Sequence, residues 1–246
     1  MPIASNFTSV YTKDWEINFI QCYPNGQLKL TELCNILQLT AGFHAEMGGL
    51  SFSDMQVFHQ AWVLSRMRVE VTELPKWRDI VTVKTWIVEM QGSKSIRALE
   101  WYVGDKKLGG SLTYWVVLNT TLRKPEKLAL PFEHFQLFPD QLATEKSFDK
   151  ITLDPITNLL KNKTVELSDL DIVNHANNVK YLEWCLDCIN PTLLLKNDIK
   201  AFDMNFLREL HWHDEIALKA TLEKNPKQYT VVKNQKICFA LELDYK

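Results

Sequence analysis

The run Asp169-Leu170-Asp171-Ile172-Val173-Asn174-His175-Ala176-Asn177-Asn178 concentrates the side chains of most chemical use in this chain. His175 is the one member whose ordinary pKa suits proton transfer near neutrality. Asp171, four residues earlier, is placed to orient the ring or to stabilise its charged form. An apolar pattern opens just after the run, with Val179, Leu182, Leu186 and Ile189 at helical spacing. The backbone N–H groups of residues 177–180 at that helix start would polarise a carbonyl or hold a developing oxyanion. Glu209 supplies a second carboxylate if its strand passes beneath this junction. The plain alternative is a helix start and nothing more, because Asp, Asn and His are ordinary cap and turn residues. Strand alternation also puts Glu209 beside Asn205, on what reads as a solvated face.

Other clusters carry less. His211-Trp212-His213 has the i, i+2 spacing of two ligands on one strand face. Its counterpart in the repeat described below is Lys76-Trp77-Arg78, so both read as basic turns around a packed tryptophan. His44-Ala45-Glu46 is not H-E-x-x-H. Cys185-Leu186-Asp187-Cys188 is formally C-x-x-C, yet it lies inside a helical pattern without a second ligand pair and reads as two half-buried core cysteines. Eight glycines are few, and none falls into a phosphate-binding loop motif. No metal and no cofactor are expected.

The elements that must position these residues form a pattern that occurs twice. Residues 16–23 alternate and read as a strand, and Pro24-Asn25-Gly26 reads as a turn. Leu30, Leu33, Ile36, Leu37 and Ala41 then mark a helix, with Thr31 a candidate N-cap and Gly48-Gly49 the stop. Four β-rich segments follow at residues 61–73, 80–89, 94–103 and 107–118. One helix and successive strands argue for an α+β layer pair with an antiparallel sheet. Residues 119–157 carry Pro125, Pro131, Pro139 and Pro155 and read as a linker lying against the protein through Phe132, Phe135, Leu137 and Phe138. Thereafter a strand (163–167), the helix after Asn178 and strands at 202–210, 215–222, 229–232 and 237–243 repeat the order.

Sliding the chain by 135 residues pairs Trp77 with Trp212, Asp79 with Asp214 and Lys84 with Lys219, with apolar positions in phase. The implied organisation is a first domain over 1–135, a linker over 136–158 and a second domain over 159–246. The copies differ where it matters. Leu74 aligns with Glu209, and the first copy's junction, Cys22-Tyr23-Pro24-Asn25-Gly26, has no group of use near pH 7. Only the second half carries a candidate site.

Lys plus Arg number 28 against 30 Asp plus Glu, a net charge of −2, with 46% hydrophobic residues. That balance is ordinary for a globular protein and gives no surface-wide attraction to nucleic acid. No apolar stretch approaches the ~18 residues of a membrane span. The first residues lack a secretory signal, and five scattered cysteines suggest reduced thiols in a cytoplasm.

The residues also match a known family. Asp169-Leu170-Asp171 followed by His175-Ala176-Asn177-Asn178-Val179-Lys180-Tyr181 and Trp184 resembles the signature of acyl-[acyl-carrier-protein] thioesterases of plant plastids and bacteria. Trp62-Val63, Ser65-Arg66-Met67, Pro75-Lys76-Trp77-Arg78-Asp79 and Arg208-Glu209 add to it, and the similarity runs from about residue 11 to the end. The resemblance implies two tandem hotdog folds, each a long helix wrapped by an antiparallel sheet, forming a pseudo-dimer. It implies hydrolysis of fatty acyl thioesters to free acid and carrier thiol, which ends fatty acid elongation, and it carries over Asp171, His175 and Glu209 as catalytic positions. This chain departs from Asp-x-Asn-x-His, with Val173 at the Asn position; Asn174 or Asn177 would have to substitute, or activity is reduced. Leu210 stands where plant members tend to have Cys, which excludes a nucleophilic thiol there.

In that scheme Glu209 and His175 deprotonate water, Asp171 orients the site and the helix-start amides take the oxyanion; a covalent acyl-carboxylate intermediate is the alternative route. The acyl tail would lie in an apolar slot of the first half, with Leu33, Ile36, Leu37 and Trp62 as candidates, or else these are plain core. The expected partner is acidic acyl carrier protein with its acyl-phosphopantetheine, with Lys76, Arg78, Arg123, Lys124, Lys180 and Arg208 as candidates for a basic face, or else ordinary solvated charges. A homodimer is left open. The competing readings are an acyl-CoA thioesterase and an acyl-binding protein that has lost hydrolysis.

Overall fold

The computed structural model describes residues 3–155 and 157–246. It divides into two compact units, unit 1 (Met1–Ser147) and unit 2 (Phe148–Lys246). The division falls within the proline-marked segment.

Unit 1 comprises β1 (Val10–Glu16), α1 (Leu30–Met47), α2 (Phe52–Gln56), β2 (Gln60–Val71), β3 (Ile80–Gln91), β4 (Lys94–Val103), β5 (Lys106–Asn119) and the two-residue β6 (Lys124–Pro125). The sheet order is β1-β3-β4-β5-β2, antiparallel throughout, with β6 on β5. Leu30, Leu33, Leu37, Ala41 and His44 recur every three or four residues and, with Ile36 beside them, form a buried stripe of α1, which packs on β1 and β3. The helix stops at Gly48, where a Cβ would lie 2.1 Å from the Phe135 ring. A Cβ on Gly110 of β5 would lie 1.8 Å from the Ala143 carbonyl oxygen. Glycine at both places therefore lets residues 130–145 close over unit 1. Trp86 Nε1 donates to the Gln141 carbonyl and the Phe138 amide to that of Ile87, each at 2.9 Å.

Unit 2 repeats the plan with β7 (Thr157–Thr164), α3 (Asn178–Leu186), α4 (Pro191–Leu195), β8 (Ile199–Phe206), β9 (Glu215–Thr221), β10 (Gln228–Lys233) and β11 (Lys236–Tyr245). Its order is β7-β9-β10-β11-β8, again antiparallel, with α3 on β10 and β11. Strand for strand this is the order of unit 1, the helix-on-sheet plan of a hotdog fold in each copy. Among the described residues no helix is long and apolar enough to cross a membrane.

Several expectations are corrected. The first strand of each copy lies earlier than the alternation suggested: residues 16–23 hold a 3-10 turn, Phe19–Gln21, and the second copy has Leu167–Asp169 at the same place. The cause is local. Asn18 with Gln21, and Glu166 with Asp169, exchange side-chain and backbone hydrogen bonds as capping boxes, which compete with strand pairing. Phe19 and Ile20 consequently face outward, 71% and 66% exposed. Thr31 lies inside α1, whose N-cap is Lys29. α2 and α4 were not anticipated, although Ser51-Phe52-Ser53-Asp54 and Asn190-Pro191 are readable caps. β8 stops at Phe206 instead of running to residue 210. The amides of Leu207 and Arg208 both donate to the Cys238 carbonyl, at 2.8 and 3.0 Å, so two residues oppose one and the alternation breaks. Asn205 is 3% exposed and accepts the Ile151 amide, so its face is not solvated.

Candidate active site

The loop between β7 and α3 is closed on itself by backbone bonds. The Asp171 amide donates to the His175 carbonyl at 2.8 Å and the Asn174 amide to the Asp171 carbonyl at 3.0 Å. Asn174 takes the left-handed conformation this needs, φ 62°, which Asn tolerates better than most residues. Asp171 Oδ1 accepts the amides of Val173 at 3.0 Å and His175 at 3.2 Å. Asp171 therefore orients His175 through the backbone, whereas the sequence pointed to the ring. Val173 contributes one of these amides, and the residue is 39% exposed.

A second tether brings Glu209 alongside. The Ala176 amide donates to the Leu210 carbonyl at 2.8 Å, which fixes the segment after β8 against the loop. Tyr181 of α3 is buried, and burial pushes its phenol up; its hydroxyl donates to the Arg208 carbonyl at 3.4 Å. In this frame His175 Nε2 lies 3.5 Å from Glu209 Oε2, with the two side chains 25% and 26% exposed. That is the exposure a proton-transfer pair needs to reach a substrate while remaining positioned. Glu209 sits on the irregular segment beyond the bulge, not on a strand face.

His211 completes the cluster and was missed as a member of it. Its ring meets that of His175 edge-on at 4.9 Å, and its Nδ1 is 3.5 Å from the Asn174 carbonyl. The signal was its place two residues after Glu209 on the tethered segment. Trp212 and Trp77 are not packed but 56% and 51% exposed, at turn tips, against His213 and Arg78 respectively. Among the described residues, His175, Glu209 and His211 are the group able to offer three ligands to an ion, all within 4.8 Å of one another.

The remaining candidates divide. Asn174 is exposed, and its backbone is what shapes the loop. Asn177 is the N-cap of α3, its Oδ1 accepting the Val179 amide, and Asn178 opens the helix half-buried. The helix-start amides expected to hold an oxyanion are largely engaged: Asn177 to Asp169 O, Val179 to Asn177 Oδ1 and Lys180 to Asn177 O, each at 2.9 Å. Of the acyl-slot residues, Trp62 lines a cavity of about 190 Å³ in unit 1, with Ala41, Ala45, Leu50, Met90 and Trp115. Leu33, Ile36 and Leu37 are instead buried core, at most 2% exposed, and stand outside that lining because their side of α1 faces the packed interior. Among the cations expected to meet a carrier, Lys180 pairs with Glu183 and Arg208 binds the Ile237 carbonyl.

Comparison with known proteins places the chain in a family. The family model described as Acyl-ACP thioesterase N-terminal domain matches residues 8–132, and that of the C-terminal domain matches residues 155–242. A palmitoyl-acyl carrier protein thioesterase of Gossypium hirsutum is 30% identical over 216 residues, which cover 81% of this chain and 52% of that protein. An oleoyl-acyl carrier protein thioesterase of Coriandrum sativum is 26% identical over 239 residues, 87% of this chain and 63% of that protein. The chain thus spans between half and two thirds of the length of these relatives. The crystal structure of an acyl-ACP thioesterase from Bacteroides thetaiotaomicron superposes with a TM-score of 0.88 at 24% identity, covering 97% of this chain and 98% of that one, and shares its fold. The N-terminal family model alone accounts for more than half of the 246 residues, and the chain belongs to the acyl-ACP thioesterase family.

Proposed function

We propose that the chain hydrolyses fatty acyl thioesters carried on acyl carrier protein, releasing free fatty acid and carrier thiol. The observation that carries this reading is the His175–Glu209 pair at 3.5 Å, held by two backbone tethers in a family of thioesterases. A thioester carbonyl is electrophilic and its thiolate leaves readily, so the protein has to supply an activated water and little else. Glu209 and His175 position that water and take its proton as it attacks. A C–O bond forms, the C–S bond breaks, and the proton passes from the base to the departing sulfur. Asp171 keeps the His175 backbone in place, and the N-terminal end of α3 adds a favourable field for the oxyanion. The acyl tail occupies the unit 1 cavity beside Trp62, and the location is a reducing compartment such as the cytoplasm, in keeping with five free cysteines.

The test is thiol release from acyl-carrier and acyl-CoA thioesters of several chain lengths. Faster turnover of carrier thioesters is expected. A preference for CoA substrates would replace the carrier, and acyl binding without turnover of either would make this an acyl-binding protein. Full hydrolysis by Glu209→Ala or His175→Ala would sink the assignment.

A further inference from the structure

Arg97 of β4 is 6% exposed and forms part of the wall of the unit 1 cavity. A guanidinium carries five N–H donors and keeps its charge at neutral pH. Here burial lowers its pKa only to about 10. Its Nη1 reaches His44 Nδ1 at 2.7 Å and Thr85 Oγ1 at 3.2 Å. Among the described residues no protein acceptor meets Nε or Nη2, and no carboxylate pairs with this charge.

His44 provides no counter-charge either. Its Nε2 lies 2.9 Å from the Thr8 carbonyl, which can only accept, so Nε2 carries the hydrogen and Nδ1 is the lone pair facing Arg97. Burial, reinforced by Arg97, holds the His44 pKa down to about 3. The ring is stacked between Phe7 and Tyr11, with centroids at 5.5 and 5.7 Å, and cannot turn away. A buried cation without an anion is costly, and the usual remedy is a partner with oxygen acceptors. The cavity lies beside Arg97, and its other walls are mostly apolar: Ala41, Leu50, Trp62, Met90 and Trp115.

We propose that this cavity binds an aliphatic chain carrying a carboxylate, with the carboxylate on the Arg97 guanidinium and the chain against Trp62 and Trp115. The proposal rests on the reading of the cavity as an acyl-chain slot and adds the polar end that the slot selects. A free fatty acid and an acyl chain with a second, terminal carboxylate present the same chemistry.

Octanoate and 1-octanol share a chain and differ in the charge, and the fluorescence of Trp62 and Trp115 reports occupancy. Octanoate is expected to bind at least about tenfold more tightly than octanol. Arg97→Met, checked for fold by circular dichroism, is expected to abolish that preference while octanol binding stays, and Arg97→Lys to keep part of it. Equal binding of octanoate and octanol by the unaltered protein overturns the role of Arg97 but leaves the slot. Binding of neither overturns both. His175→Ala is expected to bind octanoate unchanged while losing hydrolysis, which separates this inference from the catalytic reading. Relative turnover of suberoyl and octanoyl monothioesters then assigns the carboxylate: faster suberoyl turnover marks a substrate's far end, and octanoate binding without it marks the free acid.

Discussion

Gly26 and Asn174 occupy the same left-handed corner of the same hydrogen-bonded turn, one in each unit, with φ of 80° and 62°. Around them backbone bonds correspond. Tyr23 N to Gln27 O (2.7 Å) matches Asp171 N to His175 O (2.8 Å), and Leu28 N to Pro75 O (2.7 Å) matches Ala176 N to Leu210 O (2.8 Å). Asp79 accepts the Lys76 amide at 2.7 Å as Asp214 accepts that of His211 at 2.8 Å. Gln27, Leu74 and Lys76 therefore stand where unit 2 has His175, Glu209 and His211. The backbone frame of the site is present in both copies, and the chemistry depends on which side chains are hung on it. Unit 1 closes its copy with a Leu74 that is 2% exposed, whereas Glu209 is 26% exposed at its side chain.

The largest effect should come from stripping one side of this pairing. His175→Ala or Glu209→Gln is expected to lower thioester hydrolysis by about 10²- to 10⁴-fold. The mirrored Gln27→Ala should leave it within about twofold, measured as thiol release. Placing the carboxylate in the other copy, Leu74→Glu, buries a charge that Glu209 keeps partly in water. A loss of about 3 kcal/mol or more in denaturant unfolding is expected, and a smaller loss would mean the two frames are looser than their bonds suggest.

How much of this was legible depends on which interactions carry a local signature. β2 to β5 and β9 to β11 are rich in alternating apolar and β-branched residues, and the sequence placed them within a residue or two. The pairing of Leu74 with Glu209 was visible because Trp77 and Asp79 recur 135 residues later, and the same Asp bond now explains why they do. The bulge at Cys238 left no such trace, since it arises from a partner strand about 30 residues away in the chain, at Leu207 and Arg208. Alternation through β8 consequently put Glu209 on a strand face it does not occupy. Leu33, Ile36 and Leu37 share the periodicity of the cavity-facing residues of α1, so spacing could not separate core from slot.

Smaller perturbations sharpen the comparison. Asp171→Ala strands the amides of Val173 and His175, and should cost about 1–2 kcal/mol together with a loss of turnover. Asp171→Asn retains an acceptor and should recover most of both; an Asn variant as inactive as the Ala one would show that charge, not loop shape, is required. Burial works against ionisation of Asp214, but bonds from Lys233 and the His211 amide outweigh it and hold its pKa below the usual carboxylate range. Its stabilising contribution is therefore complete above about pH 4 and is lost as pH falls through the depressed folded value. Asp214→Asn should be less stable than the parent at pH 7, with the gap in melting temperature closing under acid. The smallest change is Asn174→Gly, which imports the unit 1 residue. Relief at the left-handed corner and added chain entropy should cancel within about 0.5 kcal/mol, and activity should survive if the backbone of Asn174, not its amide group, is what the site uses.

The paired amides of Leu207 and Arg208 on one carbonyl work, mechanically, as a slip joint. Upstream of it, β8 follows the ladder of its sheet. Downstream, Glu209 follows the Leu210 carbonyl and the loop that carries His175. Drift in the twist or length of β8 is taken up at the joint and does not reach the acid–imidazole distance. The sheet of unit 2 can thus diverge in sequence without retuning the pair it supports.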